Sequence, residues 1–147
     1  VEINMDKDII KGGCLCKSVK YEFNKPDVIS AHHCHCKDCQ RSTGSGKATI
    51  VLVPSHLIKV DGKIKFFTVT GTDGSHVSRG FCPNCGSPII SFLEEMKEVK
   101  FVKAGSLNDS TWIKIDSNFW SSSAVKWAPI NSLLATFTHN PENPSSN

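Results

Sequence analysis

Gly12-Gly13-Cys14-Leu15-Cys16-Lys17-Ser18-Val19-Lys20-Tyr21-Glu22-Phe23 sets the terms for the whole chain. Two thiols stand one residue apart, and the residues after them alternate, with Val19, Tyr21 and Phe23 on one side. Alternation with a period of two is the signature of a half-buried β-strand. Strand patterns recur downstream. Residues 48–53 form a β-branched run ended by Pro54, and residues 64–70 are rich in Phe, Val and Thr. Residues 89–93 and 99–104 continue the pattern, and 111–115 alternate again. Asp61-Gly62, Asp73-Gly74 and Gly105 punctuate these runs as turns. Helical periodicity is scarce, with one short turn expected over 37–43 and another over 54–58. Many short strands in a small chain predict a mainly β fold, with ligand-bearing loops tying distant strands together.

The chain has 147 residues, which suits one domain able to bury a core without disulfide staples. We place that domain at 1–139 and expect 140–147, rich in Pro, Asn and Ser, to be a disordered tail. Charged residues make up 21% of the chain and the formal net charge is +3, with the lysines scattered. That balance is too weak to argue for a nucleic-acid partner. No apolar run approaches the length of a membrane span. Residues 1–11 carry no signal-peptide core, so a cytoplasmic location is expected, where thiols stay reduced.

Seven cysteines leave one over in any scheme of disulfides, whereas metal binding has no such parity. They fall into three groups: Cys14 and Cys16; Cys34, Cys36 and Cys39; Cys82 and Cys85. Cys82-Pro83-Asn84-Cys85-Gly86 has the spacing of a zinc knuckle, and Gly86 lets the chain turn away after the second ligand. Together with Cys14 and Cys16 it offers four thiolates, the complement of a closed structural zinc site. A redox dithiol is the competing reading. It would place Cys82-x-x-Cys85 between a strand and a helix, but Gly86-Ser87-Pro88 follows.

Cys34-x-Cys36-x-x-Cys39 offers three thiolates and no fourth. Catalytic zinc sites use three protein ligands and keep a position open, and a soft site of this kind suits a substrate thiol held as thiolate. Two other readings stand beside it. One is a closed site completed by His33 or a distant histidine such as His56 or His76, with His35 poorly placed between two ligands. The other is a disulfide from Cys34 to Cys39 after metal loss. Arg41, Thr43, Gly44 and Ser45 follow directly, a glycine-containing loop whose amides and guanidinium suit a carboxylate, or else a plain turn.

Taken together, these groups resemble the glutathione-dependent formaldehyde-activating enzyme (GFA) / centromere protein V family. The resemblance rests on Gly13-Cys14-Leu15-Cys16 with Val19 and Tyr21, and on Cys34-His35-Cys36 with Cys39, Arg41, Thr43, Gly44 and Ser45. It continues through Arg79, Phe81-Cys82, Cys85-Gly86-Ser87-Pro88, Gly105-Ser106-Leu107 and Asp109, with Trp120 and Trp127 in the final segment, and spans about residues 12–139. It implies a β-tent fold of stacked antiparallel sheets tied by a structural zinc on Cys14, Cys16, Cys82 and Cys85. It implies a second zinc at Cys34, Cys36 and Cys39 beside the substrate. The implied activity is that of a carbon–sulfur lyase joining glutathione and formaldehyde. Asn108 stands where that family usually carries Asp, Ser110 where Pro is frequent, and Asn118 where a His often precedes the aromatic pair. A different class of function, a non-catalytic zinc module for a protein or nucleic acid, would use the same scaffold. The chain lacks the basic tail or Arg-rich stripe that nucleic acid would favour. A redox or metal-buffering protein is a third reading.

Overall fold

The computed structural model describes residues 8–141. The expected tail therefore falls mostly outside the described residues, as does most of the N-terminal segment read for a targeting signal. The described chain is mainly β, with its strands in two sheets and a short helix, α1 (Lys37–Thr43). Its contacts gather into two compact units, one formed by residues 1–30 and 51–112 and the other by 31–50 and 113–147.

In the first unit, β1 (Ile9–Gly13), β2 (Lys20–Asn24) and β5 (Lys59–Asp61) form an antiparallel sheet in the order β1-β2-β5. The alternation read at 18–23 is realised here, because Val19, Tyr21 and Phe23 are all buried. Gly12 lies under the Tyr21 ring, where an added Cβ would come within 2.3 Å of the phenol oxygen. The Tyr21 hydroxyl hydrogen-bonds the Ser106 hydroxyl, and the Asn108 N–H donates to the Lys11 carbonyl, so residues 106–108 are fastened to this sheet. A meander of β6 (Lys65–Thr70), β7 (His76–Phe81), β8 (Pro88–Leu93) and β9 (Met96–Lys103) completes the unit. Ile89, Ile90 and Val102 of this meander are buried. The hairpin turn after β6 uses Gly74 at φ 87°, and the turn after β5 uses Gly62 at φ 104°, as the two Asp-Gly signals predicted.

The second unit holds most of β3 (Ser30–Cys34), helix α1, the start of β4 (Ala48–Pro54), β10 (Ser117–Phe119) and β11 (Ala135–Thr136). Here β10 runs parallel to both β3 and β11, pairing Ser117 with His32, Asn118 with His33 and Phe119 with Cys34. The Asp116 carboxylate accepts from the Ala31 N–H at 2.9 Å, and the Asp116 N–H returns a bond to the Ala31 carbonyl. The Asn118 amide donates to the Asn131 carbonyl at 3.0 Å, which ties the irregular segment 124–134 to β10.

The structure departs from the sequence reading at 111–115, which is not a strand. Asp109 accepts from both the Thr111 N–H and its hydroxyl, and the Trp112 indole donates to the Asp109 carbonyl. This local turn outcompetes the ladder that the alternation suggested.

Candidate metal centres

Two groups of thiols gather. The sulfurs of Cys14, Cys16, Cys82 and Cys85 lie within 4.8 Å of one another in the first unit, and those of Cys34, Cys36 and Cys39 do the same in the second. Each group is able to hold a metal ion.

The four-cysteine centre is made by two loops of the same design. In one, the Lys17 N–H donates to the Cys14 carbonyl at 3.1 Å and the Cys14 N–H to the Val19 carbonyl at 3.1 Å. In the other, the Gly86 N–H donates to the Cys82 carbonyl at 2.8 Å and the Cys82 N–H to the Ser87 carbonyl at 3.0 Å. Each loop turns through a left-handed residue directly after its second cysteine, Lys17 at φ 67° and Gly86 at φ 78°. Backbone amides then point at sulfur. Val19 donates to Cys14 at 3.3 Å, and Asn84 and Cys85 donate to Cys82 at 3.4 and 3.5 Å. At Cys82 the two amide bonds favour the thiolate, although its pKa is raised overall. Two serines one step beyond the turns add to this. The Ser18 hydroxyl lies 3.0 Å from Cys16 and 3.2 Å from Cys82, and the Ser87 hydroxyl 3.2 Å from Cys85. Ser87 holds the Cys85 thiol down to about 5, and Ser18 holds Cys16 down to about 7. A set of four sulfur ligands of this kind fits zinc. The serines were not singled out in the sequence, although the repeated Cys-x-Ser of 16–18 and 85–87 was the available signal.

The three-cysteine centre forms where β3 meets α1. Cys36 is the N-cap of the helix, and its sulfur accepts from the Cys39 N–H at 3.1 Å. Cys34 and Cys39 are buried with Ala48, and Phe119 and Trp120 pack against them. The Cys36 and Cys39 sulfurs, and then burial, push the Cys34 thiol far up, since three thiolates cannot be crowded together without a positive charge among them. A bound cation reverses that logic. Among the described residues no histidine or carboxylate atom joins the three sulfurs within the same radius. His33 Nδ1 is instead 2.8 Å from the Thr49 hydroxyl, and His32 Nδ1 is 2.6 Å from the Ser117 hydroxyl. His35 is fully buried, with the Asn118 side chain beside it, and among the described residues neither of its ring nitrogens makes a hydrogen bond of ordinary geometry. Burial lowers the pKa of all three, to about 4 for His33, so each imidazole is neutral at neutral pH.

The loop after α1 is built from its own hydrogen bonds. The Thr43 hydroxyl donates to the Cys39 carbonyl at 2.7 Å and accepts from the Ser45 N–H at 3.2 Å. The Gly44 N–H donates to the Gln40 carbonyl at 2.8 Å, with Gly44 at φ 68° as the C-cap. Arg41 is exposed on the helix, and Lys47 closes the loop before β4. Gly46 has no room for a side chain, since an added Cβ would meet the Ala128 Cβ at 2.3 Å and the Trp127 ring at 3.1 Å. Trp127 itself is 70% exposed.

A mainly β chain with a closed set of four thiols and a second set of three defines a small sheet protein with two candidate zinc centres. The family model for the glutathione-dependent formaldehyde-activating enzyme matches residues 9–123, and the chain belongs to that family. No curated protein matches the sequence. The fold is similar to the crystal structure of a Rhodobacter sphaeroides protein from a structural-genomics programme. That likeness has a TM-score of 0.53 at 22% identity, covering 67% of this chain and 87% of that one. Among the described residues no helix is long and apolar enough to cross a membrane.

Proposed function

We propose that this protein is a carbon–sulfur lyase-type enzyme that joins glutathione to formaldehyde, or the reverse, in a reducing compartment of the cytoplasm. The observation that carries this reading is the three-thiol centre of Cys34, Cys36 and Cys39, with no fourth ligand among the described residues, in a chain of the formaldehyde-activating family. Zinc bound there would hold a substrate thiol in its nucleophilic thiolate form. Cys14, Cys16, Cys82 and Cys85 would hold a second, structural zinc.

In the reaction the glutathione sulfur forms a bond to the formaldehyde carbon, and the carbonyl electron pair moves to oxygen. The proton lost from the thiol ends on that oxygen, giving S-(hydroxymethyl)glutathione. This chain's residues would contribute by orientation and exclusion of water. Cys34, Cys36 and Cys39 set the position of the sulfur. Arg41, with the loop of Thr43, Gly44 and Ser45, would receive a glutathione carboxylate, and the guanidinium is the group suited to pair with it. The half-buried aromatic pair Phe119 and Trp120 would keep water from one side of the thiolates.

The test compares wild type with Cys36→Ser in an assay of adduct formation from glutathione and formaldehyde, followed by NMR. Wild type is expected to accelerate the addition and Cys36→Ser to lose the acceleration while remaining folded. A folded, metal-loaded wild type with no effect on the rate would leave the reading without support and favour a non-catalytic zinc module.

A further inference from the structure

Trp120 is a bulky residue in the left-handed region, at φ 59° and ψ 46°. A large side chain there is an outlier that costs backbone energy and persists only where the surroundings over-determine it. The surroundings do so on every side. The Trp120 N–H donates to the His139 carbonyl at 3.0 Å, and its carbonyl accepts from the Ser123 N–H at 3.1 Å. The indole N–H donates to the Asn140 side-chain oxygen at 2.7 Å. The ring stands edge-on to His139 with centroids 4.6 Å apart. What this constraint delivers is an indole packed against the buried Cys34, Cys39 and Ala48.

We propose that Trp120 is a specificity-determining residue, a fixed wall of the thiolate centre that admits thiols unbranched at the carbon next to sulfur and excludes branched ones. The inference rests on the reading of Cys34, Cys36 and Cys39 as an open thiol-binding site. A wall selects by shape only if it cannot retreat, and the bonds to His139, Ser123 and Asn140 hold this one in place. In the proposed site a substituent on the carbon that bears sulfur is the part of a thiol ligand that would meet the indole. Glutathione, whose sulfur is carried by a methylene, satisfies the restriction, and so does its one-carbon adduct.

The test uses the cobalt-loaded protein, in which a thiol entering the coordination sphere changes the visible absorption. The probes are 2-mercaptoethanol, which is unbranched, and 2-methyl-2-propanethiol, which is branched. Wild type is expected to prefer the unbranched thiol by at least about tenfold, the scale on which a pocket wall discriminates one or two carbons. Trp120→Gly, whose new residue adopts the left-handed backbone freely, is expected to fold and to lose most of that preference, while Trp120→Phe keeps it. Asn140→Ala leaves the cluster intact but frees the indole, and is expected to narrow the preference. Equal preference in wild type and Trp120→Gly overturns the inference while leaving the thiol site standing. A wild-type spectrum unmoved by either thiol overturns the open-site reading and this inference with it.

Discussion

Lys17 and Gly86 occupy equivalent left-handed positions in the two loops of the four-cysteine centre, yet only one of them is glycine. An L-residue in that conformation costs on the order of 1 kcal/mol relative to glycine. Lys17→Gly is therefore expected to raise stability by up to about 1 kcal/mol, and Gly86→Ala, whose added methyl meets nothing within 4 Å, to lower it by a similar amount. Denaturant melts of the two variants check both signs, and a destabilised Lys17→Gly would refute the equivalence of the loops. Tyr21 supplies a second prediction at this scale. Burial pushes its phenol up to about 12, against the bond to Ser106 that favours the ionised form. The folded state therefore holds the phenol proton more tightly than the unfolded chain. Its contribution is whole below pH ~10 and is lost as pH rises towards 12, by about 3 kcal/mol in all. The stability difference between wild type and Tyr21→Phe should shrink over that alkaline window in pH-dependent melts, and a constant difference would contradict the assignment.

At the scale of elements, the start of α1 and the three-thiol centre share one sulfur. Cys36 caps the helix through the Cys39 N–H while standing among the candidate ligands. Serine is itself a strong N-cap, so Cys36→Ser should keep the helix and lose only a thiolate, whereas Cys36→Ala should lose about 1 kcal/mol more. Paired melting curves decide this, and a Cys36→Ser protein as unstable as Cys36→Ala would mean that the metal rather than the cap holds this turn. At the other end, Gly44 makes the left-handed C-cap with open space around its Cα. Several elements escaped the sequence for one reason. β1, β3, β7 and β10 carry glycine, histidine and serine at positions where a strand reading looks for apolar alternation. β3 and β10 are ordered by each other across a long stretch of chain, as Ser117 is with His32, while β1 and β7 are ordered by pairing with the strands next to them in sequence.

Across the whole molecule, the four-cysteine centre joins two loops 66 residues apart, measured from Cys16 to Cys82. A metal closing so long a segment couples binding to folding. Cys82→Ser is expected to lower metal content and to unfold or aggregate, whereas Cys36→Ser stays soluble. The two centres should also differ in release. Under a mild chelator, metal at Cys34, Cys36 and Cys39 is expected to leave first, because three protein ligands leave a coordination position unfilled and four close it. Metal analysis over a chelator series measures this, and simultaneous release from both centres would argue that neither is open.

The sequence by itself determined the mainly β class and the two groups of candidate metal ligands. Ligand type and spacing marked the seven cysteines and grouped them into a four and a three, and the alternation at 18–23 fixed which side of β2 is buried. These features are local, since a thiol is a ligand and a period of two is a strand wherever the chain goes. Only the tertiary structure decided that Ser18 and Ser87 lean on the thiols, that His32 and His33 are tied to Ser117 and Thr49, and that Trp120 is held left-handed against Cys34 and Cys39. The serine contacts to Cys16 and Cys85 span two residues and only their orientation needed the fold, whereas the histidine and Trp120 contacts are meetings of residues set by pairings between separate segments.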